Sequence, residues 1–346
     1  MSEITLLERP VSPKEAIESA YLDVTVREGI FAMGAFQIAL PKLWDFETSP
    51  REPSAEDPMF PLATFTPGTP EALGASHDAR VVVHVSFLPR VINGSDWLRG
   101  YLSGGGFAVH ALRELPTQNG LMGDAVSLAP DGRLHRMVTM KDGDLLYLVD
   151  GSLDPKGMQE EPALQEIALM AAIRFKLLEP SGLRFAEAME EFYLAGQLGQ
   201  VGFMAPGTWE AVRPGDVPPQ GDAIQLKLMI GEAVAGTMVA ALGGVASDAI
   251  TLEEALIGKL AVQGITLGDA EPILEATRGG LAFSAWLRRG QANGLSSVLL
   301  CLRAVYEDMP VSITVLTPSA EAQFESWAVN RRVFEIVLET ITGFES

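Results

Sequence analysis

Two stretches of the chain share one pattern of apolar and polar positions. Phe36-Gln-Ile-Ala-Leu-Pro41-Lys-Leu-Trp44 reads as a strand that stops at a proline and then places a tryptophan. Val201-Gly-Phe-Met-Ala-Pro206-Gly-Thr-Trp209 repeats it, with Pro and Trp both displaced by 165 positions. Farther along, Met137 to Val149 is strand, acidic turn and strand around Asp142-Gly-Asp144, and Leu302 to Val315 is its counterpart around Asp308, at an offset of 166. An amphipathic helix closes each stretch. The first carries Leu164, Ile167, Met170, Ala171 and Phe175, and the second Trp327, Val333, Phe334, Val337 and Ile341. Two distant anchors with nearly one offset predict an internal duplication.

Between the anchors the pattern predicts short strands over Arg80–Leu88 and Ala223–Ile230. It predicts a helix capped by Asp96, with Trp97, Tyr101 and Leu102, and another capped by Thr251, with Glu253 and Glu254 in its first turn. Tight acidic or glycine turns imply antiparallel pairing, so the expected fold is α+β in two tandem copies, an antiparallel sheet packed with helices. The expected domains are 1–182 and 183–346, joined at the break Pro180-Ser-Gly-Leu183. Ser12 is expected to cap a first helix with Pro13 in its first turn, and Arg184 to Phe192 to begin the second copy as a short helix. The stretch Thr48 to Pro70, rich in proline and acids, reads as a surface loop inserted in the first copy.

Composition changes the picture in one respect. The 346 residues carry 25 Lys and Arg against 45 Asp and Glu, a net charge of −20, yet only 20% are charged and mean hydropathy is +0.19. Residues 1–183 hold 15 basic and 25 acidic side chains and residues 184–346 hold 10 and 20, so each copy carries −10. This excess of acid argues against nucleic acid and against anionic membrane surfaces. The most apolar run, Ala233 to Ala246, is short of the roughly 18–20 residues that span a bilayer, so direct membrane insertion is not expected. Met1 to Pro10 shows no signal peptide, and the single cysteine, Cys301, has no partner for an internal disulfide; both fit a cytoplasmic location.

Candidate chemistry is sparse. His77, His84, His110 and His135 lie in the first copy without metal-site spacing, so no metal is expected. Ser103-Gly-Gly-Gly-Phe107 follows a helix and reads as its C-terminal turn, not a phosphate loop. Cys301 sits in an apolar strand and reads as inert. The acid pairs Asp142/Asp144, Glu160/Glu161 and Glu190/Glu191 read as solvated turns or helix faces. Trp44 and Trp209 read as packing residues. No enzyme and no cofactor are expected. The strands of the second copy are apolar on both faces: Val298, Leu300 and Leu302 alternate with Leu299 and Cys301, while Trp286 and Met229 oppose Phe283 and Leu228. Either helices cover both faces, or the two domains bury them against each other, or one face receives an apolar partner. For the last case the candidate binding residues are Met229, Met238, Trp286, Leu299, Leu146 and Leu148.

The order of strand, Pro-x-x-Trp, hairpins, helix, acidic hairpin and closing helix resembles the PsbP-like fold of photosystem extrinsic proteins, Mog proteins and the bacterial DcrB-related family. The resemblance runs through Phe36–Trp44 and Ala163–Leu177, and again through Val201–Trp209 and Ser326–Ile341. Its cytoplasmic bacterial branch includes the Eag-type chaperones of type VI secretion. That resemblance implies a chaperone or adaptor whose partner is a protein client with apolar, transmembrane-type N-terminal helices. The tandem would form a monomeric pseudo-dimer. The alternative is a structural protein that forms homo-oligomers. Family members usually have one domain, and the insert at 48–70 departs from their pattern.

Overall fold

The computed structural model describes residues 5–27, 34–49, 51–54, 57, 59–75, 78–154, 161–212, 221–245, 249–292 and 294–345. The chain divides into two units, Met1–Ala186 and Glu187–Ser346.

The first unit runs α1 (Lys14–Ala20), β1 (Tyr21–Val26), β2 (Phe36–Pro41), β3 (Trp44–Thr48), β4 (Phe60–Pro67), β5 (Arg80–Phe87) and α2 (Gly94–Gly104). It continues with β6 (Ala108–Thr117), β7 (Gly120–Leu128), β8 (Leu134–Asp142), β9 (Leu145–Leu153), α3 (Glu161–Ile173) and β10 (Lys176–Leu177). The second runs β11 (Met189–Ala195), β12 (Gly199–Pro206), β13 (Glu210–Val212), β14 (Asp222–Ile230), β15 (Ala233–Leu242) and α4 (Ala249–Val262). It ends with β16 (Ile265–Arg278), β17 (Leu281–Ala292), β18 (Leu295–Tyr306), β19 (Met309–Pro318), α5 (Phe324–Thr340) and β20 (Thr342–Glu345).

Each unit has a seven-stranded antiparallel sheet and a three-stranded one. The orders are β3-β4-β5-β9-β8-β7-β6 with β1-β2-β10, and β13-β14-β15-β19-β18-β17-β16 with β11-β12-β20. Strand for strand, the second unit repeats the first, so the chain is a tandem of two α+β units. The two-residue hairpins align at an offset of 164: Asp142 pairs with Leu145, and Tyr306 pairs with Met309. Matching Asp142 to Asp308 by chemistry is therefore two residues out of register. Glu307 and Asp308 both adopt positive φ, 47° and 61°, in a turn where Gly143 adopts 59°.

In the first unit both faces of the large sheet are covered. Leu145, Tyr147 and Val149 of β9 pack with Phe65, Val83, β2 and Ile167 of α3. The alternate residue Leu148 packs on the opposite face with Leu98 and Leu102 of α2, Ala125 and Met137. The helix α2 comes close enough that a Cβ added at Gly123 would lie 2.8 Å from the Ser95 Cα, and one at Gly94 2.6 Å from the Thr139 hydroxyl oxygen. In the second unit α5 packs on β12, β15, β18 and β19, and α4 on β16, β18 and β19.

Several sequence expectations are corrected. The stretch Thr48 to Pro70 is not a structureless insert: its residues 60–67 form β4, which pairs with β3 and β5 because Phe60, Leu62 and Phe65 are needed in the core. The segment 184–192 is not a helix, since Met189 begins strand β11. Ser12 does not cap α1; Pro13 takes that position, and Ser12 gives its N–H and hydroxyl to Glu166 of α3, each at 2.7 Å. Asp96 and Thr251 are inside their helices, which start at Gly94 and Ala249. Glu190 and Glu191 lie on β11.

Candidate functional site

The helix-covered sheet face is where the two units differ. In the first unit α2 is held by leucines, by backbone contact at two glycines and by its own buried acid, Asp96, which accepts from Asn93 at 3.3 Å and Arg99 at 3.4 Å. Leu146 and Leu148 are both fully buried there. They are core residues under α2, not an open binding face.

In the second unit the corresponding helix is α4. Its sequence, Ala-Ile-Thr-Leu-Glu-Glu-Ala-Leu-Ile-Gly-Lys-Leu-Ala-Val, is apolar around most of its circumference. An ordinary amphipathic helix turns its apolar stripe to the sheet. Here the one buried side chain among those described is Glu253, at 3% exposure. Leu252, Leu256, Ile257 and Leu260 are half-buried, Ile250 is exposed, and Val262 is 91% exposed.

Glu253 meets three side chains of the sheet. The Arg303 guanidinium on β18 donates to its Oε2 at 2.5 Å, the Trp286 indole N–H on β17 donates to its Oε1 at 3.2 Å, and the Arg288 Nε lies 3.4 Å from Oε1. Arg303 also stacks over the Trp286 ring, 4.8 Å from its centroid. Strand register explains the convergence: Trp286 pairs with Cys301, Arg288 with Leu299 and Ser284 with Arg303, so alternate residues of two neighbouring strands share one face. Two cations meet one carboxylate here, and Glu275 supplies a second acid in a groove beside Arg303. The Nε atoms of Arg288 and Arg303 are buried without a hydrogen-bond partner. Arg288 gives its Nη1 to the Gly268 carbonyl at 3.1 Å. A groove of about 610 Å³ adjoins Arg303, lined also by Glu275, Thr277, Ala282, Ser284 and Val305.

Of the other expected binding residues, Trp286 is half-buried within this cluster and Leu299, on the same face, is buried. Met238 is fully buried on the opposite face, in register with Val315 and one alternate position from Gly236, which abuts Asn330 of α5. Met229 is half-buried on β14 near its turn. The six residues do not form one surface. Cys301 lies beside the cluster, 1% exposed, its thiol pushed up to about 12 by burial and secondarily by Glu253.

The remaining candidates have structural partners. Asp142 is no solvated turn residue: buried, it accepts the Ser181 N–H at 2.7 Å and its hydroxyl at 2.9 Å, tying down the segment after β10. The Trp44 indole donates to the Leu73 carbonyl at 2.9 Å, and Trp209 is buried. Gly105 caps α2 at its C-terminus. Glu160 and His77 lie outside the described residues. Sequence reading missed that His84 and His135 converge on Asp150. His135 Nδ1 is 2.8 Å from Asp150 Oδ1, with Phe107 edge-on to the ring. Desolvation holds the His84 imidazole below its usual range, a shift that Asp150 opposes and Arg80 and His135 reinforce. Ser127 faces His135 across the strand pair, but its buried hydroxyl makes no hydrogen bond, so no Ser-His-Asp relay is formed. Buried Arg136 and half-buried Arg113 share Asp124, at 2.8 Å each. Among the described residues there is no cluster of His, Cys, Asp and Glu suited to a metal, and no helix long and apolar enough to cross a membrane.

No protein-family model matches the chain, and no curated protein matches it. Solved structures do. The PsbP protein CyanoP from Synechocystis is similar over 45% of this chain and 93% of its own, at 13% identity and a TM-score of 0.32. LpqN of Mycobacterium tuberculosis, described as involved in cell envelope biogenesis, is similar over 45% and 92%, at 18% identity and 0.28. The type VI secretion immunity protein TplEi of Pseudomonas aeruginosa, solved with a peptide, is similar over 92% and 97%, at 11% identity and 0.22. None is close enough to lend this chain an activity.

Proposed function

We propose that this is a non-enzymatic binding protein that receives an apolar segment of a protein partner at the α4-covered sheet face of its second unit. The observation that carries the reading is the helix α4, which seats half-buried Leu252, Leu256, Ile257 and Leu260 around a buried acid and leaves Ile250 and Val262 to solvent. A helix whose apolar stripe is only half-buried and whose one buried side chain, among those described, is an acid is the element we propose exchanges with a partner. The setting proposed is cytoplasmic, with the partner a type VI secretion effector bearing apolar N-terminal helices, on the resemblance of the sequence pattern to Eag-type chaperones.

The alternative, a structural protein that assembles with its own copies, has a specific feature against it. The edge strand β16 is exposed nearly throughout, yet it carries Asp269, Glu271 and Glu275, a proline at 272 and two breaks in register. Such devices discourage strand-to-strand assembly. Co-expression with effectors encoded beside this gene tests the reading. An effector with apolar N-terminal helices is expected to gain soluble yield and co-purify at a fixed ratio; effectors indifferent to the protein, each with that helix intact, would overturn it.

A further inference from the structure

We infer that Arg288, Arg303 and Trp286 form a carboxylate-binding cradle plugged in cis by Glu253, and that its exchangeable occupant is an apolar helix carrying one carboxylate. The inference deepens the proposed function by naming the chemistry of the partner, and it rests on that reading only for the identity of the natural partner.

The cradle has the parts of a carboxylate receptor. Two guanidinium groups and an indole N–H converge on one carboxylate, and the indole and one guanidinium hold each other by stacking. With Glu253 seated, the Arg303 Nε is buried without a hydrogen-bond partner, and the Arg288 Nε faces the carboxylate as an ion pair at 3.4 Å without forming a hydrogen bond. The plug is weakly committed. Apart from Glu253, no described side chain of α4 is buried, whereas α2, at the same place in the first unit, buries Leu98 and Leu102. The adjoining groove runs up to Arg303, giving a second chain a route to the cradle without unfolding the sheet. Charge selects the occupant: an apolar helix without an acid would strand two half-buried arginines, and a free acid without an apolar helix would leave Leu299 and Cys301 uncovered.

The sole cysteine makes the exchange measurable in the full-length protein, because Cys301 lies on the cradle face and is closed to reagents while α4 is seated. Glu253→Gln is expected to raise the Cys301 modification rate on the order of tenfold, with the urea midpoint of α5 and the sheet unchanged. A fluorescent peptide of residues 249–262 is expected to bind the Glu253→Gln protein about tenfold more tightly than the unaltered protein, and to restore protection of Cys301. The same peptide carrying Gln for Glu253 is expected to bind on the order of tenfold more weakly. If Glu253→Gln does not fold, the unaltered protein serves: its Cys301 rate is expected to rise several-fold between about 0.05 and 1 M NaCl, as screening loosens the latch. An unchanged Cys301 rate in the folded variant, no salt response in the unaltered protein, or equal affinity for the two peptides would overturn the inference. Failure of every effector to bind, with the peptide still seated in the cradle, would remove the secretion reading alone; an effector held with Cys301 as closed and the labelled peptide as weakly bound as before would remove the cradle alone.

Discussion

Three titratable side chains do work in this chain that their residue type alone does not announce. Asp142 sits where a hairpin acid is ordinarily solvated, but it takes two hydrogen bonds from Ser181 and so fixes the segment leading out of the first unit. Asp142→Ala is expected to cost the first unit about 1–3 kcal/mol in urea unfolding, and Ser181→Ala less, because the backbone N–H bond survives. His84 is neutral in the fold and protonates more readily once unfolded, since burial lowers its folded value beneath 6.5. Its contribution is therefore present above about pH 6.5 and is lost as pH falls below that value toward the folded one. Thermal stability of the first unit is expected to fall from pH 7 to pH 5, and His84→Leu to flatten that slope; an unaltered slope would show that the imidazole is not desolvated. Glu253 is the third. In the sequence it passes for a first-turn acid complementing a helix dipole. The legible signal was on the other strands, where Arg288 and Arg303 interrupt apolar runs at positions that share a face with Trp286.

At the scale of elements, periodicity identified the strands and the closing helices, because α3 and α5 fill the core with the leucines, isoleucines and valines that mark them. It erred where tertiary need overrode composition. Residues 60–67 carry two prolines and still form β4, since Phe60, Leu62 and Phe65 complete the core. It also foresaw apolar strands on both faces but not what covers them, because strand pattern records burial and says nothing of the burying element. Leu146 and Leu148 look like a binding face only until α2 is placed. The pair α2 and α4 yields a sharp contrast. Gly123→Ala drives a methyl into the Ser95 backbone and is expected to cost the first unit about 1–3 kcal/mol. Gly258→Ala, in open space within α4, is expected to stabilise that helix by up to about 1 kcal/mol. Denaturant midpoints of the two variants, moving in opposite directions, are the check.

The molecule as a whole is one architecture used twice, with matching strand orders and a −10 charge on each half, but with its polar groups redistributed between copies. Arg136 beneath α3 corresponds at the 164-residue offset to Leu300, and Thr139, which meets α2 at Gly94, corresponds to Arg303. The apolar surplus of the composition shows in α4 as the exposed side chains of Ile250 and Val262. Amide hydrogen exchange on the intact protein tests this asymmetry most directly, comparing α2 and α4 in one sample. The account predicts that amides of residues 249–262 exchange at least about tenfold faster than those of residues 94–104, and faster still in Glu253→Gln. Equal protection of the two helices, unchanged by that substitution, would contradict it.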